Sequence, residues 1–324
     1  MAINCTDAPD SVPSDAGVAG IGVLLSFIVT AAIALVISAS LIFQEARGRS
    51  KPSVLRRKLL NSFSDQQILT GIGIQSIGLG KTDSMAPYHF FIIWMLSLLS
   101  MAVHNATLLA LVHDFRRDWV LRWLRQFLMF VNLALSCIYG VFILEAVIDG
   151  INDSTLPISC VWQDDTNKAP ATSNVGASIF GTVAVIAGNG IVFLLATWYL
   201  HSRTQRWYKI VQFVGLVLMI ASSIGATVRV CIMADAFVRS PPIRLSDKGE
   251  EQWSFGQLLS VGMLLLPLVS VIEILRGEIK CAPPVADEGK EPLLGGNELQ
   301  SGVVRPTSFQ PNPFFGSQTN LFKK

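Results

Sequence analysis

The chain has 324 residues, of which 51% are hydrophobic and only 15% are charged, and its formal net charge at pH 7 is +2. With a mean hydropathy of +0.50, it is too apolar for an ordinary soluble domain of this length. The small net charge and the absence of a basic stripe give no reason to predict a nucleic-acid partner.

Long apolar runs predict membrane-spanning helices. A run of 18 or more apolar residues nearly free of charge is long enough to cross the roughly 30 Å hydrocarbon core of a bilayer. The first run follows an acidic tail and is much longer than the apolar part of a signal peptide, so it is predicted to be a retained span. The predicted spans are, in chain order, 18–43, 64–80, 88–112, 127–148, 175–200, 210–235 and 255–275.

The positions of lysine and arginine decide between six and seven spans, because basic residues collect in cytoplasmic connections. With seven spans, the basic connections after the first, third, fifth and seventh spans all lie on one side. With six spans, two of them fall on opposite sides. The sequence therefore predicts an all-α, polytopic seven-transmembrane-helix bundle, N-terminus out and C-terminus in. Its parts are an extracytosolic tail (1–17), a membrane domain (18–276) and a disordered cytoplasmic tail (277–324).

The second predicted span begins with a helix-start pattern. Ser64 and Gln67 have the spacing of a capping box, so the helix is expected to start there. Four residues of this helix lie on one face: Gln67, Gly71, Gln75 and Gly78. Small residues let membrane helices approach closely, and amides form hydrogen bonds between helices. The face indicates either a tightly packed central helix or a polar pocket lined by Gln67 and Gln75.

Three short motifs carry a family resemblance. SDQQILTG at 64–71, YHF at 88–90 and HNATL at 104–108 resemble the S-D-Q-Q-(L/I)-x-T-G, Y-H-F and H-x-x-T-L marks of a group of uncharacterised multi-pass membrane proteins of filamentous fungi. The resemblance covers about residues 54–200. It implies a fungal source and a polytopic fold, carries no established activity, and suggests an association with secondary metabolism because some members are encoded near such genes.

The predicted topology places two cysteines and two glycosylation sequences on the outer side. Cys5 and Cys160 are either a disulfide or two free thiols in that oxidising compartment. Asn4 and Asn152 each begin an N-x-[ST] sequence and are predicted glycosylation sites.

Polar residues within the predicted spans are the candidates for function, because polar groups at membrane depth are costly. Glu145 and Arg229 come to a similar depth near the outer boundary, where they form an ion pair or each reach water. Asp235 is predicted to point to solvent. The candidate catalytic residues are Glu145, Asp235 and His104. The residues predicted to line a pocket are Gln67, Gln75, His104, Asn105, Asn132, Asn189 and Arg229.

The motifs of several cofactor-dependent classes are missing. The histidines form no H-x-x-x-H pair and there is no C-x-x-C, so no metal site is predicted. The spans contain no lysine to hold retinal, and the Asp164-Asp165 pair does not continue into the D-D-x-x-D motif that binds magnesium. No cofactor is predicted.

The tail offers two short motifs. Cys281 follows the last span and is a candidate for acylation. Asn312, Pro313 and Phe314 form an N-P-F peptide that resembles ligands of endocytic adaptors; the alternative is a solvated tail without a partner.

Without a catalytic constellation, the sequence favours a non-enzymatic sensor, scaffold or accessory factor in the plasma membrane or an endomembrane. Its expected partners are the lipid bilayer and a lipophilic small molecule. One alternative is a membrane-embedded enzyme similar to terpene cyclases, in which an acid protonates a lipophilic intermediate. A second is a receptor similar to G-protein-coupled receptors, although the usual motifs of that class are mostly missing.

Overall fold

The computed structural model describes residues 5, 8–47, 53–115, 119–151, 155–163, 175–201, 207–237 and 245–276, all within a compact unit of residues 1–285. The described chain is helical and contains no strand, which confirms the predicted all-α class. Its helices are α1 Ile21–Ala46, α2 Val54–Gly80, α3 Pro87–Ala110, α4 Val112–Phe115, α5 Trp119–Ile148, α6 Val175–His201, α7 Tyr208–Met233, α8 Phe255–Gly262 and α9 Leu266–Leu275.

Within the residues that the structure describes, five helices are long and apolar enough to cross a membrane. They are α1, α3, α7 and the parts of α5 and α6 that run from Trp123–Ile148 and Ser178–Trp198. Large apolar side chains stay exposed on α5, α6 and α7, among them Phe127, Phe180 and Ile232. A soluble protein rarely exposes so much apolar surface, so these faces suit a lipid environment.

Helix α3 lies at the centre of the bundle and contacts α1, α2, α5, α6 and α7. It begins with Pro87 at a position where a missing N–H costs nothing. Nearly every residue from Pro87 to Leu109 is buried, including polar ones. Helices α3 and α6 begin at one end of the bundle, and α2, α5 and α7 terminate there. We call this the upper end.

Helix α2 begins at Val54, ten residues before the predicted start, so the prediction of a capping box at Ser64 was wrong. Ser64 is buried within the helix, and its hydroxyl has no partner among the described residues. The basic residues before Ser64 give this stretch the composition of a polar connection. It nevertheless has an apolar face, on which Leu60 and Phe63 are buried. With 27 residues, α2 is about 40 Å long, whereas a helix over residues 65–80 alone would be about 24 Å long.

The glycines of α2 divide between packed and open positions. A Cβ on Gly71 would lie 2.5 Å from Ser100 Oγ of α3, and a Cβ on Gly78 would overlap Tyr139 Oη of α5. A Cβ on Gly73 would meet nothing within 4 Å. Close packing therefore explains Gly71 and Gly78, but not Gly73.

The last predicted span is interrupted. A 3-10 turn at Met263–Leu265 separates α8 from α9. Pro267 stands next to the turn, and its missing N–H and bulky ring are incompatible with an undisturbed helix four residues earlier. Helix α8 is held against α1, because Gln257 Oε1 accepts a hydrogen bond from the Gly22 N–H at 3.2 Å.

The connections at the upper end are joined to one another. Val12 forms an isolated parallel bridge with Leu245, and Lys81 Nζ lies 2.7 Å from Asp15 Oδ2. Cys5 and Cys160 form a disulfide with their Cα atoms 5.7 Å apart.

Candidate functional site

A cavity of about 560 Å³ lies between α3, α5, α6 and α7 and reaches toward the upper end. Most of its lining is apolar. The residues that α3 and α5 contribute are Pro87, Tyr88, Phe91, Trp94, Met95, Leu98, Ile143, Ala146 and Val147. Pockets of roughly 300–1,000 Å³ with such walls bind small molecules in many proteins.

Small residues on α6 and α7 make room for this cavity. Gly181 and Gly188 of α6 and Gly225 of α7 line it, and a Cβ on any of them would meet no atom within 4 Å. The wall is completed by other small residues, which are Ser178, Thr182, Ala184, Ala221, Ser222 and Ala226. The small side chains of these two helices therefore leave the space that forms this side of the cavity.

Polar groups of Asn189, Trp94 and Arg229 contact the cavity from different depths. The Asn189 side chain donates to the Val185 carbonyl at 3.1 Å, but its Oδ1 has no partner among the described residues. The indole N–H of Trp94 also lacks an acceptor within the described chain. Arg229 lines the cavity near the upper end of α7, and no described carboxylate lies within 4 Å of its guanidinium.

A polar cluster lies at the upper end of the bundle, beside the part of the cavity that Tyr88 lines. Glu250, from the segment between α7 and α8, is fully buried; its Oε1 lies 2.7 Å from His89 Nε2. Its Oε2 accepts from the Tyr88 hydroxyl at 3.1 Å, and its backbone carbonyl accepts from the Ile21 N–H at 3.2 Å. We call Tyr88, His89 and Glu250 the upper cluster. It ties the α7–α8 segment to the first turns of α1 and α3.

Asp235 borders the upper cluster. Its backbone N–H donates to the Tyr88 hydroxyl at 2.8 Å. Burial raises the pKa of its carboxyl group above the ordinary value, and the nearby charges of Glu250 and Glu251 act in the same direction. Asp235 is half-buried, and its contact with the upper cluster is made by its backbone N–H, so the direction of its carboxylate stays a prediction.

Three of the residues predicted to line a pocket, Gln75, Asn132 and His104, form a packed network instead. Gln75 Nε2 donates to Asn132 Oδ1 at 2.6 Å, and Asn132 Nδ2 donates to Ser100 Oγ at 3.3 Å. Ser100 Oγ lies 2.9 Å from His104 Nε2. Asn105 lies nearby on α3 and donates to the Asn189 carbonyl at 3.4 Å. Gln75, Asn132, His104 and Asn105 are all fully buried and line neither cavity, because neighbouring helices fill the space around them.

The other predicted pocket residues contact cavities. Asn189 and Arg229 line the large cavity. Gln67 lines a smaller one of about 220 Å³ between α1, α2 and α8, and its Nε2 donates to the Phe27 carbonyl at 3.3 Å.

The three catalytic candidates do not meet. His104 belongs to the packed network, Asp235 lies beside the upper cluster, and Glu145 is absent from the lining of the large cavity although Ala146 follows it there. Glu145 and Arg229 do not form the ion pair considered above; the described ion pairs are Lys81–Asp15, His89–Glu250, Arg125–Asp65 and Lys248–Glu251.

Metal ligands do not cluster in the part of the chain that the structure describes: no three His, Cys, Asp or Glu side chains there could hold an ion. The predicted glycosylation sites Asn4 and Asn152, the acylation candidate Cys281 and the Asn312-Pro313-Phe314 peptide lie outside the described residues.

Sequence reasoning missed Glu250 and the cavity. Glu250 stands in a charged segment that looks like a solvated loop, so only its contacts reveal it. The glycines of α6 and α7 were the available sign of the cavity, because they recur within two apolar helices. No protein-family profile, no curated protein and no solved structure matches the chain.

Proposed function

We propose that this protein is a seven-span membrane protein that binds a lipophilic small molecule between α3, α5, α6 and α7 and acts as a sensor or accessory factor. The observation that carries the proposal is the 560 Å³ cavity, which lies among membrane-spanning helices and has mostly apolar walls. A ligand would enter this cavity from the bilayer and would replace water or lipid in contact with the apolar walls.

Two further segments complete the proposed seven spans. Helix α2 is long enough to cross a bilayer, although its first residues are basic. The α8–α9 pair has an apolar stretch over Phe255–Val269. With both counted as spans, the basic connections lie on one side, which supports a cytoplasmic C-terminus.

The same geometry favours binding over catalysis. An acid-driven cyclisation needs a proton donor at the cavity wall, whereas the candidates Glu145, Asp235 and His104 do not line the cavity. No specific observation favours a second function. The proposed role as a sensor or accessory factor therefore requires that a ligand occupies the cavity and that its binding affects the surrounding helices.

Photolabelling tests the proposed binding. Protein in nanodiscs would be irradiated with an alkyne-tagged hexadecanol that carries a diazirine, with unlabelled hexadecanol as competitor. Gly188→Leu fills the cavity, whereas Gly190→Leu lies on the same helix outside the lining and also meets open space. We expect competed labelling in the wild type and in Gly190→Leu, and its loss in Gly188→Leu. Equal labelling of all three proteins would contradict the proposal.

Topology is tested separately. Single cysteines introduced at Asp83 and at Gly277 would be treated in intact cells with a membrane-impermeant maleimide, in a background whose reactive native cysteines are replaced. We expect Asp83→Cys to react and Gly277→Cys to react only after permeabilisation. The reverse pattern would contradict the proposed orientation, and reaction of both before permeabilisation would contradict the seven-span arrangement.

A further inference from the structure

The α3/α5/α6/α7 cavity has a charge at one end and an unpaired buried acceptor farther in. Arg229 is four residues from the upper end of α7, and Asn189 is fourteen residues from the upper end of α6. At 1.5 Å per residue, Arg229 lies about 6 Å and Asn189 about 21 Å below those ends. The cavity is therefore elongated along the bundle, with its polar groups about 15 Å apart in depth.

Arg229 is the group that remains free to hold an anion. Among the described residues that line the cavity, it is the only charged one, and no described carboxylate neutralises it. The Tyr88 hydroxyl, another polar group at this end, is already bound to Glu250 and to the Asp235 N–H. A guanidinium binds a carboxylate or phosphate through paired, charge-assisted hydrogen bonds.

Asn189 is a second polar residue in the wall of this cavity. Its side chain is only 3% exposed, and its Oδ1 lacks a hydrogen-bond donor anywhere in the described chain. A buried acceptor without a partner is unfavourable, and the cavity wall is where this residue lies. A donor on the ligand would satisfy it.

We infer that the ligand is a single-chain anionic amphiphile whose acid group binds Arg229 and whose chain runs down the cavity to a hydroxyl at Asn189. This inference rests on the proposed function, since it names the class of molecule that the same cavity binds. A two-chain phospholipid is too large for a 560 Å³ space, whereas one acyl chain suits its elongated shape. The acid is a fatty-acid carboxylate or a lysophospholipid phosphate, because a guanidinium accommodates both.

Direct binding to purified protein in nanodiscs tests the head group. The probes are radiolabelled palmitate and lysophosphatidic acid, each compared with a neutral counterpart, methyl palmitate or monopalmitoylglycerol. We expect each acid that binds to do so about ten-fold more tightly than its neutral counterpart, as one charge-assisted contact provides. Arg229→Gln should remove the preference and Arg229→Lys should restore part of it. Whichever of palmitate and lysophosphatidic acid binds more tightly shows whether the natural head group is a carboxylate or a phosphate, and either result supports the inference.

The outcomes separate this inference from the proposed function. Equal binding of acid and neutral probes to the wild type, or a preference that survives in Arg229→Gln, overturns the anionic head group. The cavity as a binding site then still stands if Gly188→Leu weakens all four probes and Gly190→Leu weakens none. If Gly188→Leu leaves every probe unaffected, the proposed function fails and the inference fails with it.

A matched pair of acids tests the second contact. We expect 16-hydroxypalmitate to bind several-fold more tightly than palmitate, and Asn189→Leu to abolish the difference while keeping the preference for an acid. If the two acids bind the wild type equally, Asn189 does not hold a ligand hydroxyl.

Discussion

Glu250 Oε1 and His89 Nε2 lie 2.7 Å apart, although the chain separates these residues by 161 positions and both side chains are almost inaccessible to solvent. The second oxygen of the same carboxylate accepts from Tyr88, which also lines the large cavity. The segment between α7 and α8 is therefore fixed at the upper end of the bundle by buried polar contacts and not by apolar packing alone.

Removing the carboxylate should destabilise the protein strongly. Glu250→Ala leaves His89 and Tyr88 buried without their acceptor, so we expect a loss of about 3 kcal/mol in the free energy of unfolding. The matched control is Glu251→Ala, because Glu251 is 45% exposed and its nearest described cation, Lys248, is 3.9 Å away. That variant should change stability by less than about 1 kcal/mol. Denaturant unfolding in detergent measures both; similar losses would contradict a special role for Glu250.

The glycines of α2 should respond unequally to a methyl group. Gly78→Ala places its Cβ against Tyr139 Oη and 2.5 Å from Ile93 Cδ1, so a cost of about 1–3 kcal/mol is expected from overpacking. Gly73→Ala meets nothing and should stabilise the helix by up to about 1 kcal/mol. Thermal melts of the two variants give the comparison. A neutral Gly78→Ala would mean that α2 and α5 are farther apart than described.

The network around Asn132 should behave as a unit. Asn132→Leu removes the acceptor for Gln75 and the donor to Ser100, so we expect a loss of about 1–3 kcal/mol. Gln75→Leu alone should also destabilise the protein, and the double variant should lose less than the two single losses combined. Unfolding free energies of the four proteins test this coupling. Strictly additive losses would show that the two amides act independently.

Asp235 should make stability depend on pH. Its pKa is raised in the folded protein, so the folded state holds the proton more tightly than the unfolded chain does. Its contribution to stability therefore falls as the pH rises from the ordinary value through the raised folded value. Melting temperatures of the wild type and Asp235→Asn, measured from about pH 4 upward, should converge at the acidic end and diverge as the pH increases, with the variant more stable.

Asp247 provides the opposite case. Hydrogen bonds from Ser14 lower the pKa of its carboxyl group, and the Ser14 N–H lies 3.2 Å from Asp247 Oδ1. This contribution is present above the ordinary pKa and is lost as the pH falls through the lowered folded value. Asp247→Asn should therefore be less stable than the wild type near neutral pH and similar to it in strong acid. A pH dependence of the same sign for Asp235→Asn and Asp247→Asn would contradict one of the two assignments.

The sequence predicted the helical class and the apolar helices well, because the length and hydrophobicity of a span follow directly from bilayer thickness. It failed at the start of α2, where a capping box formed by Ser64 and Gln67 appeared inside a longer helix. Local patterns cannot show that Leu60 and Phe63 are covered by other helices.

The site was harder to predict than the fold. Polar residues in apolar runs were readily identified, but their sequence does not say whether they face a cavity or one another. Asn189 is part of the cavity wall, whereas Asn132 is hydrogen-bonded to Gln75 of a neighbouring helix. The cavity itself depends on the space beside Gly188 and Gly225, which only the packing of whole helices determines.

Native mass spectrometry tests the binding of a lipophilic molecule most directly. Wild-type, Gly188→Leu and Gly190→Leu proteins would be purified from their own membranes in mild detergent, and the mass of any retained small molecule would be measured. We predict one bound single-chain amphiphile per wild-type and Gly190→Leu molecule and none on Gly188→Leu. Bare protein in all three samples, or the same adduct on Gly188→Leu as on Gly190→Leu, would contradict the assignment of the cavity as the site where this protein binds its ligand.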